Sequence, residues 1–181
     1  MSPPTLAGKV VAIHEAMGQI RHGFGGALAL AYYAEPRATI DIDLNVFVRP
    51  AGFASVVPAL ERAGISLDAP RIASIVERDG QVRLDWDGTP LDLFFAYDPF
   101  HDAAARATRM VPFADTTIPI LSAEHLTVCK VVFDRARDWV DVQAMVSLGT
   151  PIDVAEVLRW IGRMVGDDNS RYDRIAALLS L

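Results

Sequence analysis

The chain has 181 residues, of which 51% are apolar and 22% charged, and its formal net charge is −6. That length suffices for one sizeable core, or one core with a small appendage, and the composition excludes a disordered chain. The negative balance argues against a broad basic face for nucleic acid, although a local cluster such as Arg135/Arg137 is left open.

No apolar run approaches the roughly 20 residues that a bilayer span requires. Met1-Ser2-Pro3-Pro4 opens the chain without a basic stretch followed by a hydrophobic one, so the expected location is the cytoplasm. Cys129 is the sole cysteine and cannot form an internal disulfide; its apolar neighbours predict a buried, inert thiol.

In chain order, Val10, Ile13, Met17 and Ile20 recur at helical spacing and predict a first helix over residues 8–21. A turn follows at His22-Gly23-Phe24-Gly25-Gly26, and the small apolar run over 27–34 predicts a short buried helix that Glu35-Pro36 stops. The period then falls to two. Thr39, Asp41, Asp43 and Asn45 point one way, and Ile40, Ile42, Leu44, Val46 and Val48 the other, which predicts a strand with one apolar face.

A helix is expected over 51–63, then a hairpin about Asp87-Gly88 pairing 81–85 with 91–96. Asp98-Pro99 has the chemistry of a helix start, with the helix running to about Arg109. An extended piece over 118–121 leads to Ser122, the expected N-cap of a helix over 123–133. Three more helices should follow over 135–148, 151–165 and from 171 to the C-terminus, the first ended by Gly149. The expected fold class is α+β. A small mixed sheet with helices packed on it would occupy residues 1–121, and a helical part over 122–181 would pack on that core as one structural unit.

Two features carry chemistry. Asp41 and Asp43, two apart on a strand, bring two carboxylates to one face, where they repel unless a cation lies between them; a hard divalent ion such as Mg²⁺ is the natural compensator. A solvated polar face would read the same way. Upstream, Gly25-Gly26 precedes a helix start, where backbone N–H groups and the helix dipole favour a phosphate, although an ordinary glycine turn fits as well. The order of glycine turn, short helix, reversal and acidic strand would bring phosphate-binding amides and metal ligands to one end of a sheet.

The run from Gly25 to Leu44, Gly-Gly followed by Asp-Ile-Asp, resembles the signature of DNA polymerase β-like nucleotidyltransferases. Its Glu35-Pro36-Arg37-Ala38-Thr39-Ile40-Asp41-Ile42-Asp43 portion is especially similar to the AbiEii-type abortive-infection toxin nucleotidyltransferases of bacteria. A second block resembles the same family: residues 121–130, ending in Lys130, then Arg135-Ala136-Arg137-Asp138-Trp139-Val140-Asp141.

The resemblance implies a third carboxylate on a neighbouring strand. Asp92, inside the apolar run Leu91-Asp92-Leu93-Phe94-Phe95, is preferred over Asp85 and Asp87 because a polar residue there is costly unless it faces a site. It implies catalytic and metal-binding roles for Asp41, Asp43 and Asp92, a two-ion Mg²⁺ site, an NTP substrate, and nucleotide contacts from Gly25, Gly26, Arg37, Thr39, Lys130 and Asp138. Lys130 would neutralise the leaving pyrophosphate; a solvent-facing lysine or a partner of Asp134 fits equally. Asp138 could instead orient Lys130 or an arginine, and Arg137 and Asp141 could pair at i,i+4.

The implied activity is nucleotidyl transfer to an acceptor that could be tRNA, a protein or a small molecule, with an antitoxin protein as a possible partner. Fourteen residues separate Gly26 from Asp41, the long end for the superfamily. That departure keeps open a decayed module that binds nucleotide or an antitoxin without turnover; a metal-dependent phosphohydrolase using the same acids is a third reading. The histidines have no metal-ligand spacing, and Trp139 and Trp160 read as core anchors.

Overall fold

The computed structural model describes residues 5–180; the opening Met1-Ser2-Pro3-Pro4 and the final Leu181 lie outside the described residues. The fold is α+β. Its contacts divide the chain into two units: the first comprises the chain through Gly25 together with Thr39–Ile120, and the second Gly26–Ala38 together with the chain from Leu121 onward.

The first unit is built on a six-stranded mixed sheet. Its strands are β1 (His22–Phe24), β2 (Ile42–Val46), β3 (Gln81–Trp86), β4 (Thr89–Phe95), β5 (Arg109–Phe113) and β6 (Thr116–Ile120), in the order β3-β4-β2-β1-β6-β5. Strand β2 runs antiparallel to β1 and parallel to β4, whose Leu91, Leu93 and Phe95 pair with Ile42, Leu44 and Val46. All six of those side chains are fully buried. The alternation in β3 buries Val82, Leu84 and Trp86 and exposes Gln81, Arg83 and Asp85. One face of this part of the sheet is therefore apolar, and the opposite face is free to carry charge.

The two-residue hairpin turn is set by Asp87 at φ 48° and Gly88 at φ 77°, the pair of positive φ values that a type I′ turn requires. That turn fixes the register: Trp86 lies opposite Thr89, and counting back places Arg83 opposite Asp92. Helix α1 (Leu6–Met17), capped by the Thr5 hydroxyl, buries Val10, Ile13 and Met17, and also Lys9. The Lys9 ammonium donates to the carbonyls of Trp86 at 2.5 Å and Asp87 at 3.2 Å and to the Thr89 hydroxyl at 2.9 Å. Three acceptors satisfy the buried charge and tie the helix to the hairpin's tip.

Several local expectations needed correction. The turn predicted at 22–26 begins as strand β1. The helix expected over 51–63 is split into a 3-10 turn (Pro50–Ser55) and α3 (Val57–Arg62), because Pro58 has no N–H to continue a helix across it. Residues 64–80 held an unforeseen helix, α4 (Ala69–Asp79), capped by Asp68 and ended by Gly80 at φ 67°. The helix after Asp98, α5 (Pro99–Arg106), stops short of Arg109, which instead opens β5. Asn45, expected on the polar face, is buried, and its amide donates to the Gly23 carbonyl at 3.3 Å.

Helix α1 ends near a histidine pair. The His22 Nδ1 lies 2.7 Å from the Ile20 carbonyl, so it carries the proton there, and the His22 Nε2 is left to accept from His14 Nδ1 at 2.9 Å. Burial, partly offset for His22 by the Ile20 bond and augmented by His14, holds its pKa below the ordinary 6.5; burial likewise lowers that of His14, against a contrary pull from Glu15. The folded state prefers both rings neutral, whereas the unfolded chain takes up protons as pH falls below about 6.5. The stability contributed by the pair is therefore complete above that pH and declines below it. Urea midpoints measured from about pH 7.5 down to about pH 5.5 should fall, with a shallower fall in the His14→Gln/His22→Gln protein; equal slopes would dismiss the pair as the cause.

Among the described residues the second unit contains α2 (Gly26–Leu30) and α6 (Ala123–Phe133), with three further helices gathered around α6. The α6 helix is buried on most sides and begins at the Ser122 N-cap, as expected. Helix α7 (Ala136–Ser147) is followed by Gly149 at φ 74°. Helix α8 (Val154–Val165) starts after Asp153, whose carboxylate accepts from the Glu156 amide, three residues later than the predicted start at Pro151. Helix α9 (Ser170–Leu179) completes the set. Trp139 and Trp160 are core residues, while Cys129 is half-buried rather than buried. Among the described residues no helix is long and apolar enough to cross a membrane.

Candidate active site

In the first unit the carboxylates assemble on the polar face of the sheet. Parallel pairing of β2 with β4 sets Asp43 directly beside Asp92, and Asp41 lies two residues ahead of Asp43, at the entry to β2. The backbone there is held by Thr39, whose hydroxyl accepts from the Asp41 amide at 3.2 Å. Thr39 thus positions Asp41. The preceding Ile40 is 73% exposed, and the Asp41 side chain is itself 37% exposed.

The next position across the sheet is Arg83, which sequence reasoning did not single out. Its guanidinium makes a two-pronged bond to Asp92, at 2.8 and 2.6 Å, and reaches to 4.0 Å from Asp41. The Asp92 bonds, with smaller pulls from Asp41 and Asp43, push the Arg83 pKa further above its ordinary range. Asp43, Asp92 and Arg83 therefore form a row across three strands, with Asp41 two residues along the chain from Asp43. Among the described residues no three His, Cys, Asp or Glu side chains are gathered as a ready-made metal cage; the Arg83 guanidinium lies against Asp92 and within reach of Asp41. The signal for Arg83 was present in the sequence, because a two-residue turn at Asp87-Gly88 dictates which residue faces Asp92.

Gly25 lies within this unit, but its amide is not turned toward a phosphate: it donates to the Asp43 carbonyl at 2.9 Å and extends the pairing between the glycine turn and the acidic strand. Gly26 opens α2 at φ 52°, a left-handed conformation in which glycine avoids the cost other residues would bear.

The remaining expected residues belong to the second unit, where they form an ion network. Lys130 is buried and donates to Asp141 at 2.5 Å, with Asp138 3.7 Å away. Arg37 binds both oxygens of Asp141 at 2.9 Å. Asp138 chiefly accepts from Arg135, at 2.7 Å to its Nε and 3.3 Å to its backbone amide. Burial would raise the Asp141 pKa, but the bonds from Arg37 and Lys130 outweigh it and hold the carboxyl below its usual range. The i+4 pairing of Lys130 with Asp134 does not form; Asp134 instead caps α6 and accepts from the Trp139 indole.

The solution structure of the antibiotic-resistance factor ANT(2'')-Ia is similar with a TM-score of 0.51, at 15% identity, covering 95% of this chain and 94% of that one. An antigenic nucleotidyltransferase-like protein from Paracoccidioides brasiliensis gives a TM-score of 0.48 at 14% identity, over 95% of this chain and 91% of that one. No curated protein sequence matches the chain. The family model of the nucleotidyl transferase AbiEii toxin, from type IV toxin–antitoxin systems, matches residues 23–178, and the chain belongs to that family. It is by family a nucleotidyltransferase, and the match spans both units.

Proposed function

We propose that this protein transfers a nucleoside monophosphate from an NTP to an acceptor hydroxyl, using Asp41, Asp43 and Asp92 as its catalytic carboxylates, and that it acts as the toxin of a toxin–antitoxin pair. The observation that carries the reading is the strand register that sets Asp43 beside Asp92, with Asp41 two residues upstream.

The donor set fits a hard divalent cation. Asp43 and Asp92, side by side, offer carboxylate oxygens, and Mg²⁺ is commonly held by one or two carboxylates with substrate phosphates completing its shell. The guanidinium already drawn onto two of these acids supports the same point, since the row demands positive charge. Bound there, such an ion would tie the triphosphate to the protein and offset charge on the reacting oxygens.

The chain's own groups divide the remaining work. Asp41 and Asp43 would hold the cation, and Thr39 fixes the backbone that presents Asp41. Asp92 accepts the proton of the acceptor hydroxyl as its oxygen attacks the α-phosphorus and pyrophosphate departs. Gly26 remains the phosphate-turn residue of this reading. Gly25 enters it as the residue that joins the turn to the Asp43 backbone, and Arg37, Lys130 and Asp138 enter it through the network they build about Asp141.

The test is to supply purified protein with each labelled NTP and Mg²⁺ alongside cellular RNA, protein and small-molecule fractions, then follow label and pyrophosphate. Label in one acceptor fraction with stoichiometric pyrophosphate is expected. Release of inorganic phosphate instead would identify a phosphohydrolase, and nucleotide binding without any transfer would identify a decayed module.

A further inference from the structure

A cation already seated on a would-be metal site has to go somewhere when the metal arrives. Arg83 is placed by register directly opposite Asp92, at the end of the row that continues to Asp43. Its two bonds to Asp92 are short and parallel, while its side chain remains 61% exposed and that of Asp92 only 16%. The acid is thus fixed in the sheet, and the arginine reaches in from an exposed edge strand on a flexible stem. A planar guanidinium that matches a carboxylate with two parallel bonds matches a phosphate in the same way.

We propose that Arg83 is a substrate-contacting residue that exchanges partners: it neutralises Asp92 until a divalent cation takes the carboxylates, and then turns its two-pronged face to the phosphates of the nucleotide. This rests on the reading of Asp41, Asp43 and Asp92 as metal-binding acids. Charge supports it. Arg83 holds Asp92 in a two-pronged bond and reaches to 4.0 Å from Asp41; a metal–triphosphate complex brings both a cation for these carboxylates and a new anion for the displaced guanidinium. Two cations competing for Asp92 make metal binding weaker in the absence of nucleotide than the carboxylates alone would allow, and make the nucleotide and the metal assist one another.

Isothermal titration calorimetry tests the exchange without relying on turnover. Wild type, Arg83→Gln and Arg83→Lys would each be titrated with Mg²⁺ alone, and then, in saturating Mg²⁺, with non-hydrolysable α,β-methylene analogues of the four NTPs. Circular dichroism would establish that each variant is folded. For Arg83→Gln, Mg²⁺ should bind about tenfold more tightly without nucleotide, and the preferred analogue about tenfold more weakly with Mg²⁺ present, the change expected for one charge-assisted interaction. Arg83→Lys, which keeps the charge but loses the fork, should fall between wild type and Arg83→Gln in both titrations. If the wild type binds metal and analogue but Arg83→Gln leaves either affinity unchanged, the exchange is overturned while the acidic site stands. If no protein binds Mg²⁺ or any analogue, the underlying site assignment fails first.

Discussion

Replacing Asp41 or Asp43 by alanine should lower nucleotidyl transfer on the order of a thousandfold, the scale of removing one preorganised electrostatic group from a reaction centre. The fold should survive. Neither side chain lies in the core, each neighbours another carboxylate that repels it, and the core partners Ile42 and Leu44 are untouched by the change. Transfer assays with the acceptor fraction, read beside urea denaturation, check both halves. Full activity in Asp41→Ala would remove that residue from the reaction, and collapse of the fold would recast the row as structural. Asp43→Asn is a sharper variant, since it keeps the shape and removes only the charge.

The second large effect is expected on stability. Asp141 is buried and accepts from both Lys130 and Arg37, so Asp141→Ala takes from the buried ammonium its 2.5 Å partner and leaves Asp138 at 3.7 Å. Breaking a buried ion pair by removing one member costs about 3–5 kcal/mol. For a domain of this size that corresponds to a fall in Tm of roughly 10 °C. Differential scanning calorimetry reads it directly. Lys130→Met, which buries an apolar chain of similar length, should cost less if Arg37 still satisfies Asp141. A lysine whose whole task was to meet pyrophosphate would give the opposite pattern, with activity lost and Tm unchanged.

These two expectations also show where the sequence was legible. The alternation through Ile42, Asp43 and Leu44, the Asp87-Gly88 turn and the Ser122 cap each rest on a local rule, and each appears in the structure where its chemistry places it, whereas Ile40, expected on the apolar face, is exposed. Local rules were equally available for α4, through the Asp68 cap, Pro70 and Gly80, and for the break at Pro58; those signals were present but not weighed. Arg83 needed one more step, counting register outward from the turn. Other facts were not local at all. That Gly25 gives its amide to Asp43, that Lys9 reaches the hairpin tip, and that Arg37 and Lys130 meet on one carboxylate depend on contacts between distant segments, which no spacing along the chain encodes.

The division of the chain has a consequence for its biosynthesis. Residues 26–38 leave the sheet after β1 and belong with helices that are translated only from Leu121 onward. Ala27, Ala29, Leu30 and Tyr33 are buried in the finished protein, and Tyr33 gives its hydroxyl proton to the Leu121 carbonyl and accepts from Thr150 at its own. On the ribosome this short apolar excursion must therefore wait, through nearly the whole of the sheet-forming unit, for partners not yet made. A chain cut after Ile120 would carry every strand of the sheet and still lack the helices these apolar residues belong with, an exposed greasy surface of the kind that chaperones shield.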